Sequence, residues 1–178
     1  MELERSIKGQ AMRISKVLPI VGLMVAASGA TWMYAQQRTS SAMLSPQDHL
    51  EIQQLYGYYT RDVDPGSERD ASWLYTPDGV FETRGNKNTG EKELKEFYTR
   101  VRKNQAFGVR HVNSNFLLVR TPEGAEGTAY MIQVEQRDAA KPTAVTLFGV
   151  YHDKFVKTPA GWRFKSRKLV FDGPAAPQ

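Results

Sequence analysis

The run YYTRDVDPG, residues 58–66, holds two groups suited to proton chemistry, the phenol of Tyr59 and the carboxylate of Asp64. A third, His111, lies 47 residues beyond Asp64 in the run VRHVNSN. Imidazole, with an unperturbed pKa of about 6.5, is the side chain that exchanges a proton near neutral pH. A carboxylate beside it fixes the tautomer and stabilises the imidazolium, and a phenol can donate to an oxyanion as it forms. Together they suit removal of a proton next to a carbonyl and expulsion of a leaving group. Arg167 could bind an acidic group or steady negative charge. That chemistry calls for no metal and no organic cofactor.

Each residue also has a plainer role open to it. Asp64 stands before Pro65-Gly66 and can be a turn residue bonded to its own backbone. Tyr59 can be a core tyrosine with its hydroxyl satisfied, and Arg167 can pair with Glu135 or Asp153 across a sheet. His111, Asn113 and Asn115 fall on one strand face by alternation, either a solvated face or the wall of a cavity. Asp62 reads as a solvated helix end. Of the other two histidines, His49 reads as surface and His152 as a strand-face or interface residue.

The elements that must position these groups follow from local pattern. Ser45-Pro46-Gln47-Asp48 is a helix start, with Ser45 as cap and Pro46 in the first turn. Ile52, Leu55, Tyr59 and Val63 recur at helical spacing, so the helix runs from Pro46 to about Val63 with Tyr59 facing inward. Pro65-Gly66 stops it. A short helix is expected over 67–74, a strand over 80–83, and another helix over 91–102 with Leu94, Phe97, Tyr98 and Val101 inward. Residues 109–120, 125–137, 143–157 and 161–171 read as strands. TPEG and TPAG, at 121–124 and 158–161, are tight-turn sequences that join them in pairs. Helices first and a meander last describe an α+β domain: a strongly curved antiparallel sheet forms a cone over the N-terminal helices and leaves a ligand cavity.

Composition narrows the functional classes. The chain has 178 residues, 40% hydrophobic and 24% charged, the profile of one globular domain. It has no cysteine, which excludes disulfides, thiolate metal sites and cysteine nucleophiles. Of the net charge of +5, two units lie in the first 35 residues, and elsewhere basic and acidic residues alternate. Such mixing gives no basic face for nucleic acid.

Residues 17–35 are uncharged and follow the basic run from Arg13 to Lys16, the layout of a secretory signal. The pattern predicts a signal peptide over 1–35, with Met12 as an alternative start. A polar tether over 36–44, the folded domain over 45–172 and a disordered tail over 173–178 complete the chain. Pro19, Gly22 and Gly29 interrupt the apolar stretch, which favours export to the periplasm or beyond over stable membrane insertion.

The runs DHLEIQQLYGYYTRDVD, ASWLYTPDGVF, VRHVNSN and GVYHDKFVKTPAGWRFKSR resemble the SnoaL-like branch of the nuclear transport factor 2-like superfamily over roughly residues 46–172. Trp73, Pro77-Asp78-Gly79, Arg110-His111, Gly149, Tyr151, Asp153 and Gly161-Trp162 recur in order. The resemblance implies the cone fold. It aligns Tyr59, Asp64 and His111 with catalytic positions of the family's dehydratase-like members and Arg167 with a pocket arginine of the same group; Trp73 and Asn115 are expected to contact substrate beside it. It further implies a hydrophobic small-molecule ligand. Two activities fit: a cofactor-free lyase or isomerase, or a binding module with the same cavity. Because the strands are two-faced, the sheet's outer side is expected to pair in a homodimer or larger homo-oligomer.

Overall fold

Helix α1, Pro46–Val63, begins where the sequence places its cap: Ser45 Oγ accepts from the Asp48 backbone N–H at 3.1 Å, and Pro46 needs no partner in the first turn. Asp48 does more than serve the cap. It accepts from Lys157 Nζ at 2.7 Å and from Trp162 Nε1 at 3.0 Å, fastening the start of α1 to a distant hairpin. Lys157 holds the Asp48 carboxyl well below the usual carboxylate range against the opposing effect of burial, and Ser45 and Trp162 add to it. The stability this contributes is present above the ordinary carboxylate pKa and is lost as pH falls through the lowered one.

In the computed structural model, residues 43–104, 108–136 and 138–173 are described. The expected signal segment and most of the tether lie outside them, as does nearly all of the C-terminal tail. Leu44, at the tether's end, is buried in the core. After α1 come a 3₁₀ turn, Ala71–Leu74, then β1, Tyr75–Thr83, β2, Asn86–Thr89, and α2, Gly90–Asn104. Four long strands follow: β3, Val109–Thr121, β4, Gly124–Glu135, β5, Ala144–Thr158, and β6, Gly161–Phe171. TPEG and TPAG close the β3–β4 and β5–β6 hairpins as expected.

The sheet is curved and open, in the order β2-β1-β6-β5-β4-β3, with the two helices packed against it. Together they form an α+β cone of the nuclear transport factor 2-like type. One expectation changes: the sheet is mixed, because β1 pairs with β6 in parallel while every other pair is antiparallel. β1 and β2 are joined by a two-residue turn at Arg84-Gly85, both with positive φ, the geometry that matches strand twist in a tight hairpin. α2 then carries the chain from the β2 edge to β3 on the far edge. β1 also starts earlier than expected and is irregular between Tyr75 and Val80. Gly79 permits this bend, since a Cβ there would lie 2.8 Å from Tyr75 Cβ and 2.9 Å from the Thr76 carbonyl oxygen.

The core lies between the helices and one sheet face. Ile52, Leu55, Tyr56, Tyr59 and Val63 of α1 and Leu94 and Tyr98 of α2 pack with Met131, Tyr151, Phe155 and Phe164. At about 25 cal/mol per Å² of apolar surface removed from water, such side chains supply most of the favourable folding free energy. Among the described residues no helix is long and apolar enough to cross a membrane.

Candidate active site at the end of the first helix

Pro65 disfavours helical backbone at Asp64, so α1 ends there: Asp64 is the extended C-cap residue, with φ −75° and ψ 153°, and its N–H donates to the Thr60 carbonyl at 3.0 Å. This turns the Asp64 carboxylate off the helix and toward the first residues of β3. Asp64 Oδ1 lies 2.7 Å from His111 Nδ1 and accepts from the His111 backbone N–H at 3.1 Å. One carboxylate thus pins both the strand and the ring.

An ionised carboxylate only accepts, so the arrangement places a proton on Nδ1 and leaves Nε2 as the basic nitrogen. The two side chains retain 13% and 11% exposure, enclosed but not sealed. Asp64 also borders a recess of about 520 Å³ whose walls include Arg61, Arg69 and Arg110.

Tyr59 enters the interior on the α1 stripe and is 3% exposed. Its hydroxyl accepts from Tyr98 at 3.3 Å, and Tyr98 and Tyr75 share a hydrogen bond of 2.6 Å. Burial, with Tyr59 close by, pushes the phenols of Tyr75, Tyr98 and Tyr151 well above their ordinary range, so they stay protonated donors. No hydrogen bond joins Tyr59 to Asp64 or His111 among the described residues.

Arg167 is fully buried behind Tyr59. Its Nε and Nη2 donate to the two oxygens of Asp153 at 2.9 and 2.8 Å, and Tyr56 donates to the same carboxylate at 2.5 Å. The guanidinium carbon lies 3.9 to 4.6 Å from the ring centres of Tyr151, Phe164, Tyr59 and Tyr56. Burial opposes the charge on Arg167, but Asp153 outweighs it and keeps the arginine ionised. The Asp153 pairing left open by the sequence is therefore present. Nη1 alone has no protein acceptor, and it sits within this aromatic box.

A family model for the SnoaL-like domain matches residues 45–168. This chain belongs to that family. Solved structures that resemble this SnoaL-like chain include a nuclear transport factor 2-like protein with a cystatin-like fold from Novosphingobium aromaticivorans. The two are 22% identical, covering 82% of this chain and 92% of that one, at a TM-score of 0.63. A candidate aromatic ring hydroxylase of the same organism is 26% identical over 74% and 93% of the two chains, at 0.63. A candidate scytalone dehydratase, also from that organism, is 21% identical over 72% and 89%, at 0.58. No curated protein matches the chain in sequence.

Within the SnoaL-like domain three expected placements change. Trp73 points to the outer side of α1, where its Nε1 donates to Asp62 Oδ2 at 2.7 Å. The 3₁₀ turn buries Ala71 and Leu74, three residues apart, and leaves Trp73 half-exposed between them. Asn115 is exposed, in left-handed backbone at φ 53°, because β3 is irregular between Ser114 and Leu117 and the alternation from His111 breaks there. Asp62 is no solvated helix end. It is 2% exposed and also accepts from Ser67 at 3.1 Å and Arg61 at 3.3 Å.

Asn113 was legible on the His111 face but not as a site residue. Both its amide nitrogen and its oxygen are buried without a protein partner. A buried unpaired amide costs about 1–3 kcal/mol. Asn113→Leu, of similar volume, is therefore expected to stabilise the ligand-free domain by roughly 1 kcal/mol in urea titration. A loss of stability would show that the amide serves the fold.

Proposed function

We propose that the chain is a cofactor-free lyase or isomerase, of dehydratase type, acting on a hydrophobic small molecule. The observation that carries this is the 2.7 Å contact between Asp64 Oδ1 and His111 Nδ1. A carrier needs a cavity but has no use for an oriented carboxylate–imidazole pair. In the reaction, His111 Nε2 takes a proton from the carbon next to a carbonyl, and the electron pair moves to the carbonyl oxygen as an enolate. Asp64 stabilises the imidazolium. The enolate then collapses, a double bond forms, and the imidazolium returns its proton to the departing hydroxide, so that water leaves. If the proton returns to a different carbon, the same pair isomerises a double bond. Tyr59 is the O–H donor to the enolate oxygen in this scheme.

One solved relative is named for scytalone dehydration, which agrees with the reaction type; at 21% identity it carries no substrate with it. The second reading, a binding module of the same fold, is favoured by the commitment of Arg167 to Asp153 and of Tyr59 to the phenol cluster. Native mass spectrometry of the purified protein, followed by incubation of any retained ligand with it, separates the two: an enzyme changes the ligand, a carrier returns it.

The sheet's outer face supports the homodimer. Val170, Val150 and Tyr130 form one cross-strand row and Phe148, Ile132 and Val112 the next, with Tyr130 51% and Phe148 50% exposed. An apolar patch of this breadth is rarely left in water. Light scattering at micromolar concentration is expected to give a dimer mass, and Tyr130→Lys with Phe148→Glu a monomer. A monomeric wild type would assign this face to solvent.

A further inference from the structure

Outside the cone, between α1 and the β5–β6 hairpin, lies a groove of about 470 Å³ that the proposed chemistry does not use. Of its ten lining residues three are arginines, Arg61, Arg69 and Arg163, and one, Glu51, is acidic. Glu51 already faces Lys157 at 3.6 Å. Arg61 and Arg69 share a single carboxylate, the buried Asp62, at 3.3 and 3.4 Å. Arg163 has no carboxylate within ion-pair distance among the described residues; its Nη1 donates to the Trp162 carbonyl at 2.8 Å.

Along the wall, guanidinium groups flank an adjacent pair of rings. Arg61 lies 5.1 Å from the Tyr58 ring centre, Tyr58 is 5.8 Å from Trp73, and Trp73 carries Arg69 at 3.8 Å and Arg163 at 5.5 Å. Aromatic faces hold guanidinium groups in place without neutralising them, leaving N–H edges for a further acceptor. A planar fork of donors suits the two oxygens of a carboxylate or phosphate, and the partly exposed rings of Tyr58 and Trp73 suit a flat apolar body. Burial also lowers the Arg163 pKa, the mark of a cation partly withdrawn from water.

From this arrangement we infer that the groove is a binding site for a small organic anion, a carboxylate or phosphate carried on a flat ring, with Arg163 as its principal partner. The site is separate from the Asp64–His111 pair, though Arg61 and Arg69 also line the recess that reaches Asp64. It does not depend on the enzyme reading.

Calorimetric titration of the full chain with phenyl phosphate, benzoate, benzyl alcohol and inorganic phosphate tests it. Phenyl phosphate or benzoate is expected to bind at least tenfold more tightly than benzyl alcohol, which lacks the charge, and than inorganic phosphate, which lacks the ring. Whichever binds better assigns the head group. Arg163→Gln, with its fold checked by circular dichroism, is expected to weaken that binding tenfold or more, whereas His111→Ala leaves it unchanged. Equal affinity for benzyl alcohol, equal affinity in folded Arg163→Gln, or no binding at millimolar concentration would overturn the assignment. Should Arg163→Gln fail to fold, loss of binding as salt rises from low to 0.5 M supports the site, and salt-independent binding refutes it.

Discussion

Asp153→Ala is expected to cost about 3–5 kcal/mol of folding stability, a large part of the roughly 5–15 kcal/mol that holds a domain together. The cause is what remains behind. Arg167 would stay fully buried with its charge and lose both of its 2.8 and 2.9 Å acceptors, and Tyr56 would lose the oxygen it donates to. Arg167→Ala leaves Asp153 uncompensated in the same way and adds a cavity among four rings. Replacing both partners with apolar residues of similar size, Asp153→Leu with Arg167→Met, should recover most of the loss, because no buried charge then lacks a partner. Urea titration of Asp153→Leu, Arg167→Met and the double variant that combines them measures the coupling. Additive losses would mean that the pair contributes nothing as a pair.

The second large effect is on turnover. His111→Ala removes the proposed base and is expected to lower kcat by roughly a hundred- to ten-thousandfold, the range of general acid–base catalysis. Asp64→Asn is expected to approach the same loss by another route. It can present either an oxygen or an NH₂ to Nδ1, and it no longer stabilises the imidazolium. Stability should respond differently to different changes at Asp64. Its carboxylate also accepts the His111 backbone N–H, a contact that Asn can keep and Ala cannot. Asp64→Ala should therefore lose stability as well as turnover, and Asp64→Asn mainly turnover, which thermal unfolding alongside single-turnover kinetics resolves.

How far the fold was legible follows from range. α1 announces itself within four residues by Ser45, Pro46 and Asp48, and its buried stripe repeats at helical spacing, so its length and inward face could be read directly. The two hairpins are local and carry Pro and Gly at the turn positions. By contrast β2, the polar run Asn86–Thr89, has no apolar alternation, and its turn uses Arg-Gly rather than Asn-Gly. The parallel pairing of β1 with β6 joins segments about 85 residues apart in sequence, as in Phe81 with Arg167, and nothing local encodes it.

The site divides the same way. Asp64 and His111 were legible because the helix stop and the strand start are each local features. Asn115 was misplaced because alternation assumes a regular strand, and the bulge after Ser114 breaks it. Asp62 and Trp73 were misread because the bond that buries one and turns the other outward spans 11 residues of irregular chain. Asp153 could have been found as a charged residue in the inward series of β5, between Tyr151 and Phe155, where an acid needs a buried partner.

The proposed task of the Asp64–His111 pair is to move a proton on carbon. The most direct measurement is mass spectrometry of the ligand retained by the purified protein, after incubation in deuterated water with wild type and with His111→Ala. The wild type alone is expected to yield a product lighter by one water, or an isomer carrying deuterium at the carbon that gains a proton. Recovery of the ligand unchanged and undeuterated from both proteins would contradict it and leave a binding module.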